Sequence, residues 1–233
     1  MLRIAAALQE IARSAERQGA TSGESQGPAV GRLISDVTTG LRESPHDLQQ
    51  ALVEGLADAA RKFDHVSLAV TGLAWLGSGV PSVEQEMHAL VRSAKREIQI
   101  CAYAVTTGSL DLLTEMREIA SQGVRVTIIL NELRSQPKEV QDFLVETASN
   151  FGERWRLFSF GTQTKYGQLH AKIAVVDRRA ALVGSANLSF HGMVSNHEMA
   201  VVVRGPSAEV VAVRIDMLER ACERAKSSKD QRR

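Results

Sequence analysis

Between Leu169 and Gly192 the chain reads LHAKIAVVDRRAALVGSANLSFHG. Its polar residues are few and chemically suggestive. His170 and Lys172 stand two apart, Asp177 follows, and Gly184-Ser185-Ala186-Asn187 comes next in an otherwise small and apolar run. An imidazole, an ammonium, a hydroxyl and a carboxamide gathered around one space suit a phosphate. Lysine and asparagine donate to non-bridging oxygens, and a histidine near neutral pH attacks phosphorus or moves a proton. One histidine beside a lysine and an asparagine is a poor metal-ligand set, so no metal and no other cofactor is expected.

For these groups to meet, the backbone must bring them together. LHAKIAVV alternates as a strand does, which puts His170 and Lys172 on one face and Ala171, Ile173 and Val175 on the other. DRR then makes a turn and AALV returns as a second strand. Gly184 allows a sharp bend, and the hairpin carries Ser185 and Asn187 back beside His170. Asp177 is an odd number of residues from His170, so it points away from the pair and is expected to serve the turn.

The wider pattern supplies a scaffold. From HVSLAVTGLAW onward strands and helices alternate: SVEQEMHALVRSAKRE, IQICAYAV, SLDLLTEMREIASQG, VRVTIILN, PKEVQDFLVETAS and RWRLFSF. The first of these helices opens on a capping box, Ser82 with Gln85. This alternation predicts an α/β sheet flanked by helices. Before residue 65 the chain reads as helical, interrupted by the Ser/Gly-rich link GATSGESQGP. Ile4, Leu8, Ile11 and Ala15 share one face, and Val30, Leu33, Ile34, Val37 and Leu41 share another. A further helix opens at Ser44-Pro45. Three parts are therefore expected: a helical N-terminal region over 1–64, the α/β domain over 65–225, and a basic tail over 226–233.

A chain of 233 residues, 44% apolar, 24% charged and with net charge +1, is ordinary for a globular protein. The charge balance neither requires nor excludes a nucleic-acid partner. Cys101 and Cys222 form no disulfide framework. The N-terminal stretch has charges where a signal peptide would be apolar, and no run is long enough to span a bilayer. A cytoplasmic protein with no membrane association is expected.

The spacing His-x-Lys, four residues, Asp, six residues, Gly-Ser-x-Asn resembles the signature of the phospholipase D superfamily, with every interval intact. The family also carries an acid in the following strand, where NHEMAVVV supplies Glu198. The resemblance covers roughly residues 65 to 220 and implies the family's mixed sheet flanked by helices. It implies that His170 attacks a phosphodiester and becomes a phosphohistidine. Lys172 and Asn187 would hold phosphoryl oxygens, Ser185 would add a hydrogen bond, and Glu198 would accept the His170 Nδ1–H. Asp177 and Gly184 would be structural members of the motif. No metal is implied.

The family builds one site from two such motifs, and this chain has one. A symmetric homodimer that supplies the second copy is the expected solution; a different chain is the alternative. The substrate expected is nucleic acid. Length and a single C-terminal motif resemble a phospholipase-D-like component of anti-phage defence systems, which implies partner proteins in a defence complex. A phospholipid hydrolase or phosphatidyl transferase would use the same residues, with LSFHGM as its candidate docking loop. A non-catalytic binding subunit is the third reading. Lys165 and Tyr166, in the loop before His170, are candidate substrate contacts or solvated loop residues in equal measure. Tyr103 ends a strand and could reach the site, with core packing the preferred reading, and His191 and His197 are assigned to the loops or surface.

Overall fold

The structure is a computed structural model. It describes residues 50, 63–75, 77–161 and 167–230, with side chains as far as 225. The chain divides into two units, Met1–His65 and Val66–Arg233. The helices read from the sequence before residue 50, with the Ser44 cap, lie outside the described residues, as do Lys165 and Tyr166.

Seven strands form one mixed sheet. They are β1 (His65–Thr71), β2 (Glu97–Ala102), β3 (Arg125–Asn131), β4 (Trp155–Phe160), β5 (Ile173–Val176), β6 (Ala180–Gly184) and β7 (Glu198–Arg204). Their order across the sheet is β1-β7-β6-β5-β2-β3-β4. β2 pairs in parallel with β3, and β3 with β4. β5 runs antiparallel to both β2 and β6, and β6 to β7. The helix α1 (Val83–Ser93) leads from β1 to β2, and the parallel half is joined by crossover helices, α2 (Leu110–Ser121) between β2 and β3 and α3 (Lys138–Phe151) between β3 and β4. In the antiparallel half a tight turn joins β5 to β6, while residues 185–197, including a helical turn over His191–Ser195, lead from β6 to β7.

α1 starts where its capping box satisfies two orphan amides. Ser82 Oγ accepts from Gln85 N, and Gln85 Oε1 accepts from Ser82 N, both at 3.0 Å. Met87, Leu90 and Val91 of α1 pack on one sheet face, with Leu112, Leu113 and Met116 of α2 and Val140 and Leu144 of α3. The other face is covered by α4 (Pro206–Asp230) through Ala208, Ala212, Ile215 and Cys222, against Cys101, Ile129, Phe158 and Val175. Burial on both faces explains why IQICA of β2 and VTIILN of β3 are buried along their length. It also pushes the Cys101 thiol up to about 12. α4 runs to Asp230, so helix continues through positions read from the sequence as tail.

The β5–β6 hairpin turns at Asp177 and Arg178, with φ of 51° and 59°. Arg179 N donates to Val176 O at 3.0 Å. Positive φ at both central positions is what a type I′ turn requires, and its twist matches the strands. Arg178 then fastens the hairpin to α4. Its Nε donates to Glu209 and its Nη2 to Asp216 Oδ2 at 2.7 Å. These bonds raise the Arg178 guanidinium above its ordinary value, Asp216 contributing most. Burial works against the Asp216 charge, yet hydrogen bonds from Arg178 and Gln99 outweigh it and hold that carboxyl low.

Candidate active site

The strand expected from Leu169 starts later than the alternation implies. The ladder begins at Ile173, which pairs with Cys101 on one side and Val183 on the other. His170 and Lys172 precede it, at the edge of the paired region. Two bonds hold this short segment. Leu169 N donates to Asn131 Oδ1 at 3.0 Å, and Gly184 N donates to Lys172 O at 3.2 Å. His170 is thus exposed while Lys172 is buried.

The two side chains meet. Lys172 Nζ lies 3.2 Å from His170 Nδ1 and 3.4 Å from Nε2. It also donates to the His170 carbonyl oxygen at 2.9 Å. Burial lowers the Lys172 ammonium below the ordinary lysine value, and the Glu198 charge partly offsets this. Tyr103 completes the group and corrects the preferred reading of core packing. Its ring centre is 4.6 Å from that of His170 and 5.2 Å from Lys172 Nζ, a cation–π distance. Its place directly after β2 puts it opposite the His170 segment.

Ser185 and Glu198 form a second pair. Glu198 Oε2 accepts from Ser185 Oγ, and its Oε1 accepts from Asn196 Nδ2 at 3.3 Å. The expected hydrogen bond from His170 to Glu198 is not formed. The sheet order gives the reason: β6 lies between β5 and β7, so the first residue of β7 faces Ser185 at the end of β6 and not the residue ahead of β5. The Ser185 hydroxyl is correspondingly turned to Glu198.

Gly184 also has a different task from the one inferred. Its φ is not positive; the constraint is a close approach. A Cβ there would lie 2.6 Å from Ala200 Cβ and 2.7 Å from Met199 O. Gly192 does the same for Asn187, where a Cβ would lie 2.4 Å from the Asn187 carbonyl oxygen. Asn187 is placed opposite the end of β2, since Leu188 N donates to Ala104 O at 3.2 Å. Its Oδ1 is buried with no hydrogen-bond partner among the described residues. Such an atom costs about 1–3 kcal/mol, and orphans of this kind gather at functional sites.

Asp177 faces away from these groups. Its carboxylate accepts from three consecutive amides, Lys95 N at 2.9 Å, Arg96 N at 2.7 Å and Glu97 N at 2.9 Å. It ties the hairpin to the start of β2. Two residues that motif spacing does not reveal hold the opposite end. Asn131 fixes Leu169, and the buried Gln136 accepts from Val105 N at 2.8 Å while donating to Asn131 O at 2.8 Å. A polar residue ending the apolar run of β3 is the one signal the sequence offers for Asn131. His191 Nδ1 lies 2.9 Å from Ser195 Oγ, and His197 Nε2 accepts from Ala74 N at 3.2 Å. Among the described residues no three His, Cys, Asp or Glu side chains cluster as metal ligands, and no helix is long and apolar enough to cross a membrane.

A His-Lys pair at the end of a mixed sheet, with the Asp, Gly-Ser and Asn at their intervals, defines a phospholipase-D-like domain. Residues 87–220 match the family described as cardiolipin synthase, PLD-like domain, and the chain belongs to that family. It is 28% identical to the DISARM protein DrmC of Bacillus paralicheniformis over 52% of this chain and 50% of that relative. It is 30% identical to cardiolipin synthase A of Erwinia tasmaniensis over 62% of this chain and 30% of that relative. The alignments therefore span half or less of these curated relatives. Among solved structures, NucT from Helicobacter pylori superposes with a TM-score of 0.52 at 19% identity, covering 69% of this chain and 98% of that one. Nuc from Salmonella typhimurium, a phospholipase D family member, gives 0.50 at 21% identity, covering 66% and 93%. These likenesses show the fold.

Proposed function

We propose that the chain is a metal-independent nuclease that cleaves DNA or RNA through a phosphohistidine on His170. The observation that carries this reading is the seating of the Lys172 ammonium against the His170 ring, with Nζ 3.2 Å from Nδ1. The ring nitrogen attacks phosphorus and the bond to the leaving oxygen breaks. That oxygen takes a proton from a second histidine. Water then attacks the phosphohistidine, the P–N bond breaks, and the second histidine receives the water's proton. Lys172 and Asn187 hold the equatorial oxygens as charge accumulates.

The second histidine is the His170 of another copy in a homodimer, because the chain holds one motif. Glu198 acts on this site through its charge and through Ser185. The likeness to DrmC supports a place in anti-phage defence with partner proteins. The cardiolipin synthase relatives support phospholipid as the competing substrate.

The test is incubation of the purified protein with single- and double-stranded DNA and RNA in EDTA, beside His170→Ala, with sedimentation at the assay concentration. Cleavage that survives EDTA and vanishes in the variant is expected, from a dimer. Turnover of phosphatidylglycerol vesicles with no cut nucleic acid would transfer the same chemistry to lipid. An active monomer would remove the homodimer.

A further inference from the structure

Large apolar side chains are exposed on the segment that follows Asn187 and on the loop bonded to it. Phe190, Val194 and Leu73 are 54%, 43% and 78% exposed. The turn Phe190–Ser195 and the Gly72–Trp75 loop are joined to each other. Thr71 Oγ1 donates to Met193 O at 3.2 Å, and the His197 ring stands edge-on to Trp75 with centres 5.5 Å apart. Phe190 is held firmly at its backbone. Gly108 lies so close that a Cβ there would meet Phe190 N and Cβ at 2.7 Å. Thr106 N donates to Leu188 O at 2.9 Å, Met193 N to Ser189 O at 2.9 Å, and Gly192 N to Ser189 Oγ at 3.0 Å. A fixed main chain therefore presents an exposed aromatic face three residues beyond Asn187, with the His191 ring 5.9 Å away.

Charge is distributed in an unexpected way for a protein that grips a duplex. Three segments frame the site: 66–91, 97–116 and 185–203. None contains a lysine or an arginine, and Lys165, in the loop before His170, lies outside the described residues. Proteins that hold double-stranded DNA along its backbone neutralise about six to ten phosphates with such residues. Proteins that hold single strands draw binding energy from bases stacked on aromatic rings. In a duplex each base is already stacked on both sides, and extruding one costs a few kcal/mol.

We infer that the site takes an unpaired nucleic-acid strand, with a base beside the scissile phosphate stacked on Phe190. The inference rests on the nuclease reading above and names its substrate class. Lys172 and Asn187 hold the one phosphate that reacts, and Phe190 with His191 supplies the grip on the adjoining nucleotide. Tyr103 does not serve as this platform, since its ring is occupied by His170 and Lys172.

The experiment measures kcat/KM of the full chain on a labelled oligonucleotide and on its blunt duplex across a salt series, for the natural protein, Phe190→Ala and Phe190→Trp. Single strands are expected to be cut much faster than duplex, with a shallow salt dependence. Phe190→Ala is expected to raise KM for the single strand about five- to 150-fold, the range for losing one stacked base, while Phe190→Trp restores it. The melting temperature of each variant shows that the fold is kept. Equal cutting of duplex and single strand with a steep salt slope would overturn the inference and leave the nuclease reading standing. So would an unchanged KM in Phe190→Ala. Binding of phosphatidylglycerol vesicles that is lost in Phe190→Ala would overturn it too and assign the rim to lipid. No cleavage of any nucleic acid would remove both.

Discussion

Asp177 belongs to the spacing that marks the site, yet its carboxylate is bonded to Lys95, Arg96 and Glu97 amides and not to the reacting groups. Replacing it by alanine should therefore damage the fold and spare the chemistry. Each charge-assisted bond is worth about 1.5–3 kcal/mol when buried. Here Lys95 and Arg96 are exposed, so water recovers part of that, and about 1 kcal/mol per bond is left. Alanine must also adopt the left-handed φ of 51°, which costs about 1 kcal/mol more. The total is about 4 kcal/mol, and at about 2–4 °C per kcal/mol for a domain of this size Tm should fall by roughly 8–16 °C. An asparagine at this position would keep one acceptor and tolerate the left-handed conformation, so Asp177→Asn should lose about half as much. The assay pairs thermal unfolding with kcat measured well below the transition, where kcat of both variants should stay within about threefold of the natural protein. A kcat loss of about a hundredfold or more with Tm unchanged would refute the reasoning and return Asp177 to the chemistry.

Lys172 must be protonated to donate, and burial lowers its proton affinity. The alkaline limb of kcat/KM should therefore fall below the pH at which an ordinary lysine deprotonates. Glu198 partly holds the ammonium up, so Glu198→Gln should move that limb further toward neutral pH; a limb unmoved by the change would show that the Glu198 charge does not reach Lys172. Gly192→Ala places a Cβ 2.4 Å from the Asn187 carbonyl oxygen and must shift the carboxamide. An activity loss of roughly ten- to a hundredfold is expected for displacement on that scale, measured as kcat/KM beside Tm, and full activity would mean that Asn187 does not need its present position.

Much of this protein was readable from one dimension. Alternating strands and helices implied an α/β sheet, Ser82 and Gln85 marked the start of α1, and the intervals from His170 to Asn187 identified the family. These signals are local, set by side-chain period, by capping chemistry and by spacing along a single hairpin. The pairing of partners across the sheet is not local. The ladder of β5 starts at Ile173, where it meets Cys101 and Val183, and this frees His170 and Lys172 from the alternation their sequence displays. Glu198 meets Ser185 and not His170 because β6 stands between β5 and β7. Tyr103, directly after β2, is open in sequence to either core or site, and the antiparallel placement of β2 beside β5 decides it by turning its ring onto His170. Asn131, 39 residues from His170 in sequence, holds its segment through Leu169 N, and Gln136 in turn holds the Asn131 backbone, through hydrogen bonds that no spacing rule encodes. Sequence determined which groups the site contains. Tertiary structure decided which of them touch, since strand order, and not separation along the chain, sets contact between residues on different strands.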